Sequence, residues 1–201
     1  YYNDMLFCIF VDISCFIFDG IKTITSGEGG CVVTNNPIIS RKISDSRVLG
    51  VCGDSKKRYN NKRSWKFEVK EQGWRYHMSD INAAIGRAQL KNFYKFSAIR
   101  KKLCLAYDNF FLSKRDKVKI FERDYKKEVP HIYCVIIKGL KKRDKLRKDL
   151  LKENIQTGVH YIPGYKLSYY NEDKRLFPNT EKVCDQILTL PLHPDLTNKH
   201  I

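Results

Sequence analysis

Two apolar runs rich in aromatic and β-branched residues flank a lysine-bearing, glycine-rich stretch, and this pattern constrains the fold more than any other in the chain. Phe16, Ile17 and Phe18 form the first run, which stops at the turn signal Asp19-Gly20. Cys31-Val32-Val33-Thr34 forms the second. Between them lie Lys22, then Thr23 to Ser26, then Gly27-Glu28-Gly29-Gly30. The order is therefore strand, lysine-bearing turn, glycine-rich turn, strand. Gly27, Gly29 and Gly30 permit backbone conformations and close approaches that a side chain forbids. Asn35-Asn36 then leads to Pro37, which opens a helix because its missing N–H costs nothing at a first helical position.

From Gly50 to Gly73 the sequence is polar, charged and aromatic, and reads as a long excursion of the kind that is more often functional or partner-facing than idle. Ser79 or Asp80 then caps a long helix, on which Ile81, Ala84, Ile85, Ala88, Leu90, Phe93, Phe96, Ile99 and Leu103 recur close to helical spacing. Beyond it lies a smaller α+β unit. His131 to Lys138 is a β-branched strand ending at Gly139, followed by an amphipathic helix carrying Leu146, Leu150 and Leu151. A short strand around Thr157 to Tyr161, a Pro163-Gly164 turn and a final helix from about Asn179 to Ile187 complete the pattern. The expected division is residues 1–110 and 111–201, with the boundary region between Tyr107 and Arg123.

Composition narrows the class. An apolar fraction of 42% in 201 residues supports a real core and excludes disorder as the main state. No apolar run approaches the roughly 20 residues that cross a bilayer. The stretch from Met5 to Phe18 is interrupted by Asp12, lacks a basic leader and is not read as a signal peptide. Seven widely spaced cysteines, an odd number without a Cys-x-x-Cys pair, favour reduced, buried thiols of a cytoplasmic protein over disulfides or a zinc site. The net charge of +16 fits a nucleic-acid surface, an anionic small-molecule site or a lysine-rich solvated exterior. The basic run from Lys138 to Lys152 alternates with leucines at helical spacing, and the aromatics lie in apolar strands instead of between the basic residues. Both facts argue against a nucleic-acid groove.

Lys22 is the first candidate for chemistry. Held away from water, its amine would become a neutral nucleophile able to condense with an aldehyde; in an exposed turn it would be an ordinary lysine. His160, from the residues alone, reads as a satisfied, half-buried strand histidine. Glu28 is expected to hold its turn by hydrogen bonds, and His193 to be structural.

The segment Cys15 to Thr34 resembles the cofactor-lysine segment of the DegT-type nucleotide-sugar aminotransferases. Three more segments resemble that family in order: Gly73-Trp74-Arg75-Tyr76-His77-Met78-Ser79-Asp80 through Gly86, Thr157-Gly158-Val159-His160-Tyr161-Ile162-Pro163, and Leu188-Thr189-Leu190-Pro191-Leu192-His193-Pro194. The resemblance implies the fold of type I pyridoxal 5'-phosphate (PLP) enzymes, here the end of the large α/β domain plus the small C-terminal α+β domain. It implies PLP as cofactor, glutamate as amino donor, a nucleotide-diphospho keto sugar as acceptor, and a cytoplasmic homodimer acting in polysaccharide or O-antigen sugar biosynthesis, without nucleic-acid or membrane partners. By position, Lys22 matches the lysine that attaches the cofactor and shuttles the proton, Arg75 approaches the phosphate of the neighbouring subunit's PLP, and His160 and Tyr161 face the substrate. No metal is implied. A family member that dehydrates its sugar would carry histidine in place of Lys22.

Departures from the family pattern carry their own expectations. Ile17 stands where relatives place a phosphate-binding serine, Arg75 where many place asparagine, and Tyr165 where relatives commonly place a second histidine. In the family roughly half the chain precedes the lysine, whereas 21 residues precede Lys22. The expectation is a fragment with little transaminase activity alone. The competing readings are a non-catalytic remnant, half of a split enzyme and, more distantly, a basic nucleic-acid-binding module.

Overall fold

The computed structural model describes residues 11–53, 57, 60, 62, 65–170 and 177–201. The start of the apolar stretch before residue 11 and parts of the 50–73 excursion lie outside the described residues. The chain forms two compact units, Tyr1–Phe93 and Tyr94–Ile201.

In the first unit β1 (Ser14–Ile17) pairs antiparallel with β2 (Gly30–Val33), with Cys15 opposite Val32 and Phe16 opposite Cys31. The two apolar runs thus become a hairpin, as their composition dictates, although each strand starts one or two residues before the expected run. Gly30 is required here: a Cβ would come 2.6 Å from the Phe16 carbonyl oxygen. The strands remain largely uncovered, with Ile17 61% and Val33 53% exposed. Cys15 and Cys31 are exposed with them, which corrects the expectation that these thiols are buried. All six described cysteines are free.

Helix α1 (Pro37–Ser46) has proline in its first turn, and the Asn36 side chain accepts from the Ile38 and Ile39 amides, satisfying donors left free at a helix start. Helix α2 (Asp80–Lys91) is capped by Ser79, whose Oγ accepts from the Asn82 amide at 3.1 Å. The expected single long helix is interrupted. Asn92 leaves helical geometry at φ −92°, ψ 1°, its side chain donates to the Ala88 carbonyl, and α3 (Phe93–Leu112) begins at once. An asparagine amide that competes for backbone carbonyls explains the break.

The second unit holds the core. Strands β3 (Val118–Ile120), β4 (Tyr133–Ile137) and β5 (Ile187–Leu190) form an antiparallel sheet in that order. Cys104 and Tyr107 of α3 pack with Tyr133, Val135 and Leu188, which explains why α3 clusters with this unit. Arg100, 6% exposed, donates to the carbonyls of His131 and Leu192, and Tyr107 Oη donates to that of Pro191. Helix α4 (Arg143–Lys152) follows the Gly139 turn as expected.

Two C-terminal expectations are corrected. The final helix α5 ends at Val183 (Pro178–Val183), and residue 187 already belongs to β5, because its Ile-Leu-Thr-Leu run buries Leu188 and Thr189 in the sheet. The strand expected at Thr157 to Tyr161 reduces to one antiparallel bridge, Gly158 to Thr189.

Candidate functional site

In the first unit the lysine turn is built by local hydrogen bonds. The Asp19 side chain accepts from the Ile21 amide and its carbonyl from the Lys22 amide; Phe18 exchanges bonds with Gly29 and Ser26 across the turn. Lys22 is half-buried, so its amine is not sealed from water by this unit, contrary to the burial that a nucleophilic lysine would want. Among the described residues no carboxylate forms an ion pair with it.

The glycine-rich turn is clamped from α2. Ser26, 1% exposed, donates its hydroxyl to the Glu28 carbonyl at 2.7 Å, and Asn82 donates to the same oxygen at 3.1 Å. Glu28 therefore holds the turn through its backbone carbonyl. A Cβ on Gly29 (φ +144°) would meet Met78 Cε at 2.4 Å, and one on Gly86 would press on Ser26 Cβ at 3.3 Å. Asn82 and Gly86 lie four residues apart on one face of α2, and Met78 just precedes its cap, so the turn and this end of the helix specify each other.

Between the hairpin, α1 and residues 75–78 lies a cavity of about 880 Å³. Arg75 lines it with Arg47, His77, Asn82, Cys15, Phe16, Glu28, Gly29 and Gly30. Arg75 is held by an antiparallel bridge to Val48, flanked by the Tyr76 amide donating to the Arg47 carbonyl at 3.0 Å. Two guanidiniums and an imidazole against one carboxylate, Glu28, make a donor set suited to a phosphate. The chemistry of this cavity fits the anionic part of PLP. Lys22 is not among the residues that line it, so the structure joins Arg75 to the glycine-rich turn without placing Lys22 in the same cavity.

His160 and Tyr161 belong to the second unit. The His160 ring is half-buried, edge-on to the exposed Tyr161 at 4.7 Å, with Nδ1 2.9 Å from Thr189 Oγ1. Thr189 in turn lies 3.3 Å from Cys134 Sγ. Sequence reasoning missed Arg47, Thr189 and Cys134: each reaches its place through register between segments far apart in the chain. Tyr165 donates to Glu181 and stacks on Phe177 at 4.7 Å. Its phenol, raised to about 12 by burial and then by the Glu181 hydrogen bond, stays neutral, so it does not replace an imidazole.

Comparison with known proteins shows the family. The sequence model of the DegT/DnrJ/EryC1/StrS aminotransferase family matches residues 1–201. The UDP-4-amino-4,6-dideoxy-N-acetyl-beta-L-altrosamine transaminase of Campylobacter jejuni is 31% identical over 193 residues, covering 94% of this chain and 49% of that protein. Spore coat polysaccharide biosynthesis protein SpsC of Bacillus subtilis is 29% identical over 202 residues, covering 94% and 51%. A Streptococcus pneumoniae chain described as a sugar aminotransferase, solved in a PLP form, superposes with a TM-score of 0.82 at 24% identity, covering 94% of this chain and 49% of that one. The present chain thus spans about half the length of the relatives it matches and carries a partial form of their α/β fold.

Proposed function

This chain belongs to the DegT/DnrJ/EryC1/StrS aminotransferase family, and on that premise we propose that it is part of a PLP-dependent enzyme that moves an amino group from glutamate to a keto-deoxy sugar carried on a nucleotide diphosphate. The setting is cytoplasmic synthesis of sugars for polysaccharide or lipopolysaccharide, by a homodimer. The observation that carries this reading is the family match over the entire chain, with Lys22 on the turn between two paired strands. Among the described residues no helix is long and apolar enough to cross a membrane.

When bound, PLP supplies the electron sink for breaking a C–H bond, and the protein supplies attachment, orientation and electrostatics. Lys22 would be the attachment point, and its Nζ would hold and move the proton between the substrate carbon and the cofactor carbon. Arg75, with Arg47 and His77 in the same cavity, neutralises phosphate oxygens; Arg75 is assigned to the phosphate of the neighbouring subunit's cofactor. Ile17 offers no hydroxyl where relatives have serine, which leaves phosphate holding to these cations. His160 and Tyr161 contact the nucleotide-linked sugar.

The uncovered hairpin supports the further reading that these 201 residues have little activity alone. A two-stranded ribbon exposed on both faces is marginal in water and calls for covering layers. The direct test, made on the complete enzyme of which this chain is proposed to be part, follows nitrogen from ¹⁵N-glutamate into a UDP-linked 4-keto-6-deoxy sugar. Transfer that Lys22→Ala abolishes supports the proposal; transfer that survives Lys22→Ala refutes it.

A further inference from the structure

The register of the second unit gathers four residues in one row. Cys134 on β4 faces Thr189 on β5, and Gly158 bridges Thr189 from the other side, with both backbone hydrogen bonds at 2.9 Å. His160, two residues beyond Gly158, turns its ring back over that glycine: a Cβ on Gly158 would stand 2.9 Å from the imidazole Cε1. Nδ1 then lies 2.9 Å from Thr189 Oγ1, which lies 3.3 Å from Cys134 Sγ.

Thr189 and Cys134 are 5% and 7% exposed, so their protons find partners inside the protein or go unpaired at a cost. Two proton arrangements connect the row. In one, the Cys134 thiol donates to Thr189 Oγ1 and the threonine hydroxyl donates to His160 Nδ1, so both buried protons are used. In the other, Nδ1–H donates to threonine and threonine to sulfur, a weak acceptor, and the thiol proton has no acceptor among the described residues. The first arrangement satisfies the row and leaves the imidazole proton on Nε2. No partner for Nε2 is found among the described residues.

We infer that Thr189 is the positioning residue for His160: its hydroxyl, backed by the Cys134 thiol and given room by Gly158, fixes the Nε2–H tautomer so that Nε2–H is offered as a donor to an acceptor oxygen of the nucleotide-sugar substrate. The substrate part of this inference rests on the proposed reading of His160; the tautomer part does not.

Long-range ¹H–¹⁵N spectra of the ¹⁵N-histidine-labelled protein, without substrate, read the tautomer directly. The expected result is a protonated, pyrrole-like Nε2 and a pyridine-like Nδ1 for His160. Thr189→Val should lose that single state to a tautomer mixture, Thr189→Ser should keep it, and Gly158→Ala should displace the ring resonances. A protonated Nδ1 in the unaltered protein, or a Thr189→Val spectrum identical to it, overturns the inference, and the first of these needs no variant to fold. In the enzyme, Thr189→Val should raise KM for the sugar nucleotide roughly tenfold with kcat unchanged, the loss of about one hydrogen bond, and Thr189→Ser should restore it. If His160→Ala leaves KM unchanged while the tautomer signature is present, the substrate reading of His160 fails and the role of Thr189 in positioning the ring stands.

Discussion

At Gly30 a single missing Cβ decides whether the hairpin closes, since any side chain there meets the Phe16 carbonyl oxygen at 2.6 Å. Gly30→Ala should therefore destabilise the first unit by about 2 kcal/mol, in the range of steric overpacking, and lower the thermal midpoint. Arg100 acts differently, as a buried cation whose guanidinium donates to two carbonyls, of His131 and Leu192. Arg100→Ala should cost about 3 kcal/mol in urea titration, because both acceptors lose a charge-assisted partner. Some of this scale was legible in the sequence. Ser79 as a cap and Pro37 as a helix opener follow from neighbours one to three residues away, which a sequence displays. Thr189 beneath His160 and Arg47 beside Arg75 depend on pairings across 29 and 28 positions, which it does not.

Among the elements, the two sheets should respond unequally to truncation. Leu188 on β5 is 1% exposed, and Leu188→Ala should cost about 3 kcal/mol; Val33 on β2 is 53% exposed, and Val33→Ala should cost under about 0.5 kcal/mol in the isolated chain. Equal costs from denaturant titration would show that the hairpin is covered in solution. The element pattern also shows where periodicity misleads. The apolar spacing from Ile81 to Leu103 runs unbroken through Asn92, because a break needs only one residue to leave helical geometry. The expected final helix runs on to Ile187, the first residue of β5, because four strand residues are too few to reveal a period. The amphipathic α4 and the strand β4 were legible because each keeps one pattern over its length.

For the whole molecule, a cluster of buried protons around α3 sets the alkaline limit. Burial pushes the Cys104 thiol up to about 11 and the Tyr107 phenol up to about 12. Burial and then hydrogen bonds to the Asp108 carboxylate raise Tyr125 and Tyr133 further. The folded chain keeps protons that the unfolded chain gives up near pH 8.5 for cysteine and pH 10 for tyrosine, so unfolding releases protons and stability falls as pH rises. The thermal midpoint should be level below about pH 8 and drop steadily above it, and Cys104→Ala should remove the earliest part of the drop, below about pH 11. The net charge of +16 is compatible with phosphate neutralisation by Arg47 and Arg75, while most of the excess sits on exposed lysines.

At this scale the family was legible because its motifs are local and ordered along the chain. The cavity was not, because Arg47 and Arg75 come together only when the 46–50 and 73–76 segments pair. The central claim is that Lys22 is the residue that attaches PLP, and borohydride reduction of the PLP-treated protein followed by peptide mass mapping tests it most directly. The account predicts a phosphopyridoxyl adduct concentrated on the peptide carrying Lys22 and lost in Lys22→Ala; an adduct spread evenly over surface lysines and unchanged in that variant would contradict it.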